Sequence, residues 1–362
     1  VQIGNRNFLS LSLFCYLIVS SWAMAAESNA SKALLPVGIK QIEFIAPGGE
    51  DRFVTFALFY PAALQKGATP YKMPLFSHLD LYRNAPPLSD GVKRPLVIFS
   101  HGRGSSGPYY AWFAEYLAAR GYIVATVYHY RANTYDATIM YLANKIWQRP
   151  VDISLIITFL LENKVWGPLI NPNRIGVAGH SQGGFTALWI GGAKVNKDKF
   201  LDFQRVWINN AMVPEHLRKE LPLDAEPAMH VHDDRVKAVF AMAPGDIQGF
   251  GMDKEGLQQL KIPTYIIVGS VDTQAPVKEN AKFAAKYIPN VKLEVIPGPV
   301  DHEIFVNQCN QIGIDAFPEA CVDAPGVDRA KLHEQIGQTA LKFFDTNLPI
   351  SEGKKNGWHA EN

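Results

Sequence analysis

The sequence is short of several things, and each shortage narrows its role. Its 362 residues carry 35 Lys and Arg against 34 Asp and Glu, a formal net charge of +1. No charge excess therefore draws it to nucleic acid or an acidic membrane surface. Beyond the N-terminal segment, no apolar run is long and uncharged enough to span a bilayer. No internal repeat or low-complexity tract occurs, so nothing in the chain would build a propeller domain. Cysteine is scarce, with only Cys15, Cys309 and Cys321. What is left is an ordinary globular composition, 48% hydrophobic and 19% charged. The length is sufficient for one large core or two small ones.

The N-terminus departs from this pattern. Arg6 precedes an apolar stretch from Phe8 to Trp22, and Ala23-Met24-Ala25 follows with small residues where a signal peptidase reads. This is the layout of a secretory signal peptide over residues 1–25, cleaved near Ala25 or Ala26. A membrane anchor is the competing reading, but the apolar core is short and broken by Ser10, Ser12, Ser20 and Ser21. The expected product is a periplasmic or secreted domain over 26–362. Processing removes Cys15 and leaves Cys309 and Cys321. An even pair in an exported chain reads as a disulfide closing a short loop, whereas a reducing cytosol would favour two free thiols.

Along the mature chain, strand and helix patterns alternate, which points to a mostly parallel sheet. Strands are expected at 41–46, 53–60, 96–100, 122–128, 175–178, 236–243, 265–268 and 292–296, the first two as an antiparallel hairpin. Several are continuous apolar runs, as expected for strands covered on both faces. Helices are expected at 109–119, 152–161, 182–193, 276–287 and 329–344. The reading is one doubly wound α/β domain with eight strands and helices on both faces. Loop-rich segments fall at 69–93, 131–149 and 194–234. In the last, Phe200, Phe203 and Trp207 share one helical face, and its length marks it as a candidate lid.

The chemistry gathers around "RIGVAGHSQGGFTALWI". An apolar strand meets Gly179-His180-Ser181-Gln182-Gly183, and a helical pattern follows. A serine between glycines at such a junction can occupy a tight turn that projects its hydroxyl above the sheet edge. The helix N-terminus directs free N–H groups at the same point, which favours developing negative charge. A hydroxyl is a poor nucleophile until a base takes its proton and an acid orients that base. On such a fold the acid and then the base follow the serine in the chain. His302, in the loop after strand 292–296, is the expected base. His216, His230 and His232 lie in the insertion, His333 in a helix and His359 in the tail. His180 adjoins the serine, and the turn points it elsewhere.

Asp272, after strand 265–268, is the expected acid, with Asp246, after strand 236–243, as the alternative. Both fall where a parallel sheet collects its active site. Asp301 and Glu303 sit too close to His302 to orient its ring. In "LVIFSHGRGSSGPYY" the glycines admit a reacting carbonyl, and the N–H groups of Arg103 and Gln182 are the expected oxyanion donors. The Arg103 side chain either meets a substrate carboxylate or faces water. The run "HVHDD" (His230 to Asp234) lacks the partner set of a metal site, so no metal or organic cofactor is expected. Trp207, Tyr128, Tyr130 and Tyr135 either line an apolar pocket or pack in the core.

The stretches "PVGIKQIEFIAPGGEDRFVTFALFYPA", "PLVIFSHGRGSSG", "GHSQGG", "VGSVDTQAP" and "CVDAPGVDR" resemble the α/β-hydrolase superfamily. More narrowly, they resemble exported dienelactone-hydrolase-like proteins related to platelet-activating-factor acetylhydrolases. The resemblance implies a Ser181–His302–Asp272 triad, oxyanion donors at Arg103 and Gln182, and a Cys309–Cys321 bridge beside the histidine loop. True dienelactone hydrolases use a cysteine nucleophile, so their lactone substrate does not carry over to Ser181. The "VDTQAP" loop is also similar to that of cutinase-like polyester hydrolases. The expected function is a serine esterase acting on a small-molecule or lipid ester, with transient contact at a lipid surface and no nucleic acid partner. The alternatives are a peptidase of the prolyl-oligopeptidase group and a binding protein that has lost catalysis.

Overall fold

In the computed structural model, residues 33–47, 52–140, 145–211, 213–218 and 231–348 are described. The expected signal peptide, His230 and part of the candidate lid therefore lie outside the described residues. The described residues from Leu34 onward form one unit. Strands β1 (Val37–Ile45) and β2 (Phe53–Pro61) are rich in Phe, Ile and Val, and they pair antiparallel as the expected hairpin. After β3 (Leu81–Arg83) come β4 (Arg94–Ser100), β5 (Ile123–Tyr128), β6 (Ile170–His180), β7 (Val236–Met242), β8 (Thr264–Gly269) and β9 (Val291–Ile296). The sheet runs in the order β3-β1-β2-β5-β4-β6-β7-β8-β9. From β5 to β9 every neighbouring pair is parallel. The ninth strand, β3, adds to the eight expected ones. Three residues in a loop-rich segment are too few to show a strand period.

The helices are α1 (Ala111–Ala118), α2 (Gln148–Glu162), α3 (Gln182–Ile190), α4 (Lys197–Trp207), α5 (Glu215–Arg218), α6 (Lys254–Leu257), α7 (Ala281–Tyr287), α8 (Gln311–Ala316), α9 (Pro318–Cys321) and α10 (Arg329–Asn347). Adjacent strand residues point to opposite faces of a sheet. On β7, Phe240 meets Phe113 of α1 and Phe344 of α10, while Val239 faces α3 at Gly191. The sheet is thus covered on both sides, and β4 is buried along its whole length. Helix α2 starts at Gln148, four residues before the expected Asp152, because Pro150 is tolerated in the first turn, where its missing N–H costs nothing. Helix α7 starts at Ala281 rather than Pro276, and residues 276–280 form turns. The insertion carries α4 and α5. As its pattern indicates, α4 buries Phe200 and sets Phe203 against Phe250.

Candidate active site

The parallel strands deliver their C-terminal ends to one edge, and the singled-out loops follow from β4, β6, β7, β8 and β9. Ser181 follows β6 directly, with φ 55° and ψ −121°, a backbone conformation that L-residues adopt only at a cost. The surroundings hold it there. The Ser181 amide donates to the Met242 carbonyl at 2.9 Å, and the Ser181 carbonyl accepts from the Gly245 amide at 3.1 Å. The flanking glycines are steric necessities. A Cβ on Gly179 would stand 2.2 Å from the Gly183 carbonyl oxygen, and one on Gly183 would stand 1.9 Å from that of Ser100. Both obstacles are backbone and cannot swing aside. Gly183→Ala should therefore destabilise the fold by about 3 kcal/mol or more, at or beyond the upper end of ordinary overpacking. A chemical-denaturation midpoint equal to wild type would contradict this account of the turn.

His302 begins the short 3-10 turn His302–Phe305 after β9, and its ring is buried. Its Nδ1 lies 2.6 Å from Asp272 Oδ2. A carboxylate accepts, so Nδ1 carries the proton and Nε2 presents the lone pair a general base needs. Asp272 is fixed in turn by the Ala275 amide, which donates to Oδ1 at 2.7 Å. No hydrogen bond joins the Ser181 hydroxyl to His302 among the described residues. Such contacts are commonly loose until substrate closes them. Asp246, the alternative acid, is engaged elsewhere: its carboxylate accepts from the Arg103 guanidinium. The Arg103 side chain also lies over the Trp207 ring of α4, 5.0 Å from its centroid. It thus joins the candidate lid to the loop after β7, which the sequence left open.

The backbone amides of Arg103 and Gln182 meet no protein acceptor among the described residues. The loop between them is braced from below. The Thr134 hydroxyl donates to the Gly104 carbonyl at 2.8 Å. His101 Nε2 accepts from the His129 amide at 3.3 Å, so its Nδ1–H donates to the Gly102 carbonyl at 2.7 Å. Arg103, Gln182, Trp207, Ile139, Met140 and Phe250 line a cavity beside these amides. Of the two readings left open for Trp207, pocket wall or core, the structure places it on a pocket wall. Tyr128 lines a different hollow with Tyr71 and Met73.

Several polar residues to which the sequence assigned no part in the site hold it in place. His180 is buried, and its Nε2–H donates to the His302 carbonyl at 3.0 Å, while its Nδ1 accepts from the Tyr110 hydroxyl at 2.9 Å. Tyr110 in turn accepts from the Gly102 amide at 3.4 Å. A second Ser–His–Asp chain runs from Ser100 Oγ to His129 Nε2 and from His129 Nδ1 to Asp152 Oδ2, each at 2.8 Å. All three residues are buried, so this chain meets no substrate and instead ties β4 and β5 to α2. Behind His302, His333 donates to the Ile304 carbonyl and stacks on Trp112. Arg329 donates to the carbonyls of Val306, Asn307 and Ala320. The Cys309–Cys321 disulfide closes the loop that follows. Asp301 and Glu303 are local braces: Asp301 caps the turn through the Glu303 amide, and Glu303 accepts from Gln274. In the "HVHDD" run, Asp233 binds Arg235, and exposed His232 lies 3.6 Å from Asp234.

Burial keeps His101, His129, His180 and His333 neutral, holding each below its ordinary value and His333 at about 3. The unfolded chain protonates these rings below about pH 6.5. Proton uptake therefore favours unfolding as the pH falls through 6.5, and for His333 the loss continues toward 3. Burial raises two carboxyls, Glu115 to about 7 and Asp152 to about 6, the latter against the pull of Arg52 and Arg149. These take up protons in the folded state and offset part of the loss. The net expectation is about 2 kcal/mol lost per pH unit below 6.5. Thermal midpoints measured from pH 8 to pH 5 should be level and then fall, and a rise on acidification would contradict the assignment.

A strained serine at a strand–helix turn, a histidine–aspartate pair from the next loops and a mostly parallel sheet covered on both faces define the α/β-hydrolase fold class. The chain is a member of that class. The family model of platelet-activating factor acetylhydrolase, isoform II, matches residues 76–157, which include Arg103 but not Ser181, Asp272 or His302. Among solved structures, a ferulic acid esterase from Streptomyces cinnamoneus is similar at 20% identity and a TM-score of 0.59, over 87% of this chain and 90% of that one. A dienelactone hydrolase from Anabaena variabilis aligns at 18% identity with a TM-score of 0.47, over 85% of this chain and 99% of that one. Among curated proteins, no sequence matches.

Proposed function

We propose that the chain is an exported serine esterase that cleaves carboxylic esters of short acyl chain through an acyl-enzyme. The observation that carries this reading is the 2.6 Å contact between His302 and Asp272, with the His302 ring 4.5 Å from that of His180, the residue before a serine held on a strained turn. Ser181 Oγ attacks the acyl carbonyl while His302 Nε2 takes its proton. Asp272 holds the ring and stabilises the imidazolium that forms. The carbonyl oxygen gains negative charge as the tetrahedral adduct forms, and the Arg103 and Gln182 amides receive it. His302 then passes the proton to the leaving alcohol, and the ester bond breaks. Water, activated by the same ring, attacks the acyl-serine and releases the acid.

The family match supports the acyl preference, since an acetylhydrolase removes a two-carbon group. The small cavity walled by Ile139, Met140 and Trp207 supports it too. The disulfide agrees with an oxidising compartment and hence with export. Helix α4, bound to the site through Arg103, is positioned to act as a lid. The test is a series of p-nitrophenyl esters with the purified protein. Acetate and butyrate should turn over well and dodecanoate poorly. Turnover of a peptide amide with no ester hydrolysis would replace this reading with the peptidase one.

A further inference from the structure

Arg149, in the first turn of α2, is 3% exposed, yet no carboxylate contacts its guanidinium among the described residues. Asp152, the nearest acid along the helix, gives one oxygen to Arg52 and the other to His129. Arg149 instead spreads its N–H groups over two chain segments. Nη2 donates to the His101 carbonyl and, at 3.3 Å, to Ser100 Oγ, both at the end of β4. Nη1 donates to Gln182 Oε1 at 3.1 Å, and Nε donates to Thr186 Oγ1 at 3.3 Å, both on α3. These are the segments that carry the Arg103 and Gln182 amides, and Arg149 lines the same cavity beside them.

Burying a cation with no carboxylate in direct contact, only the more distant attraction of Asp152, is costly, and apolar side chains of similar volume are commonly no worse for stability. Stability therefore does not explain the residue, whereas its position does. The two amides come from different strands, and the site works only if their separation matches one oxygen atom. A planar guanidinium with donors in a fixed fork sets such a separation more rigidly than a flexible ammonium does.

We infer that Arg149 is a positioning residue for the oxyanion site: it clamps the two donor segments together and adds positive potential where the acyl oxygen becomes negative. This deepens the serine-esterase reading and rests on it. The clamp acts on the charged adduct more than on the neutral ester, so its loss falls on kcat rather than KM.

The experiment compares wild type with Arg149→Lys, which keeps charge and loses the fork, and Arg149→Met, which loses both. It reads kcat and KM on p-nitrophenyl acetate, affinity for a trifluoromethyl ketone, and the rate of fluorophosphonate labelling. The ketone adds to the serine and places an alkoxide in the same position. The lysine variant should lose about tenfold in kcat and the methionine variant about a hundredfold, less than or comparable to deletion of a donor. Ketone affinity and labelling rate should fall in parallel while KM stays within twofold. Wild-type kcat, or a change confined to KM, overturns the inference. Should both variants fail to fold, Gln182→Met decides, because it keeps the backbone amide and removes only one clamp point. A kcat loss of about tenfold at an unchanged melting temperature then supports the clamp, and an unchanged kcat overturns it. A wild type in which Ser181 takes no label overturns the esterase reading and this inference with it, an outcome distinct from full-speed variants of an active enzyme.

Discussion

Ser181→Ala should lower ester turnover by about 10⁴-fold or more and abolish fluorophosphonate labelling, with the fold intact. The reason for the intact fold is that the hydrogen bonds holding this turn are backbone ones. The Ser181 amide reaches Met242, its carbonyl is bonded by Gly245 and Phe185, and alanine keeps all of them. Alanine also carries a Cβ, so the strain at φ 55° is unchanged. Mass spectrometry of the labelled protein gives the clearest readout. Label persisting on another serine would move the nucleophile. Ser100, the other serine with a histidine–aspartate relay, is fully buried and should never be labelled.

Asp272→Asn should lower kcat by about 10⁴-fold with little change in KM. Its amide nitrogen can donate to His302 Nδ1, which moves the ring proton to Nε2 and removes the lone pair that would receive the serine proton. Asp246→Asn serves as the control, because that carboxylate faces Arg103 rather than the imidazole. It should keep kcat within about tenfold, since its partner is a partly exposed cation. The opposite result, with Asp246 indispensable and Asp272 dispensable, would reassign the acid.

The parts of this architecture that repeat along the chain were legible in the sequence. Apolar runs such as Leu96–Phe99 and Ile175–Ala178 could only be strands buried on both faces, and the helices between them forced a parallel order. The glycines around Ser181 were readable because a tight turn excludes every other side chain there, as the contacts at Gly179 and Gly183 show. The order of serine, acid and base along the chain then left few choices. The bracing was not legible. His129, Asp152 and Arg149 lie far apart in sequence from what they touch, and a buried polar residue has no period to betray it. Arg149 even falls in the segment 131–149, whose sequence reads as a loop because the proline after it resembles a boundary, whereas Pro150 only occupies the first turn of α2. The sequence pointed the His180 ring away from Ser181, but nothing in it indicated that the ring would carry the backbone of His302.

That last contact has a mechanical consequence. The strands that lead into Gly102 and His302, β4 and β9, stand four places apart in the sheet, so twisting of the sheet would swing their ends by different amounts. Tyr110 and His180 bypass the sheet, running from the Gly102 amide to the His302 carbonyl above the strand ends. The two loops are thereby yoked to a common crossbar, which resists changes in their spacing when the strands beneath them flex.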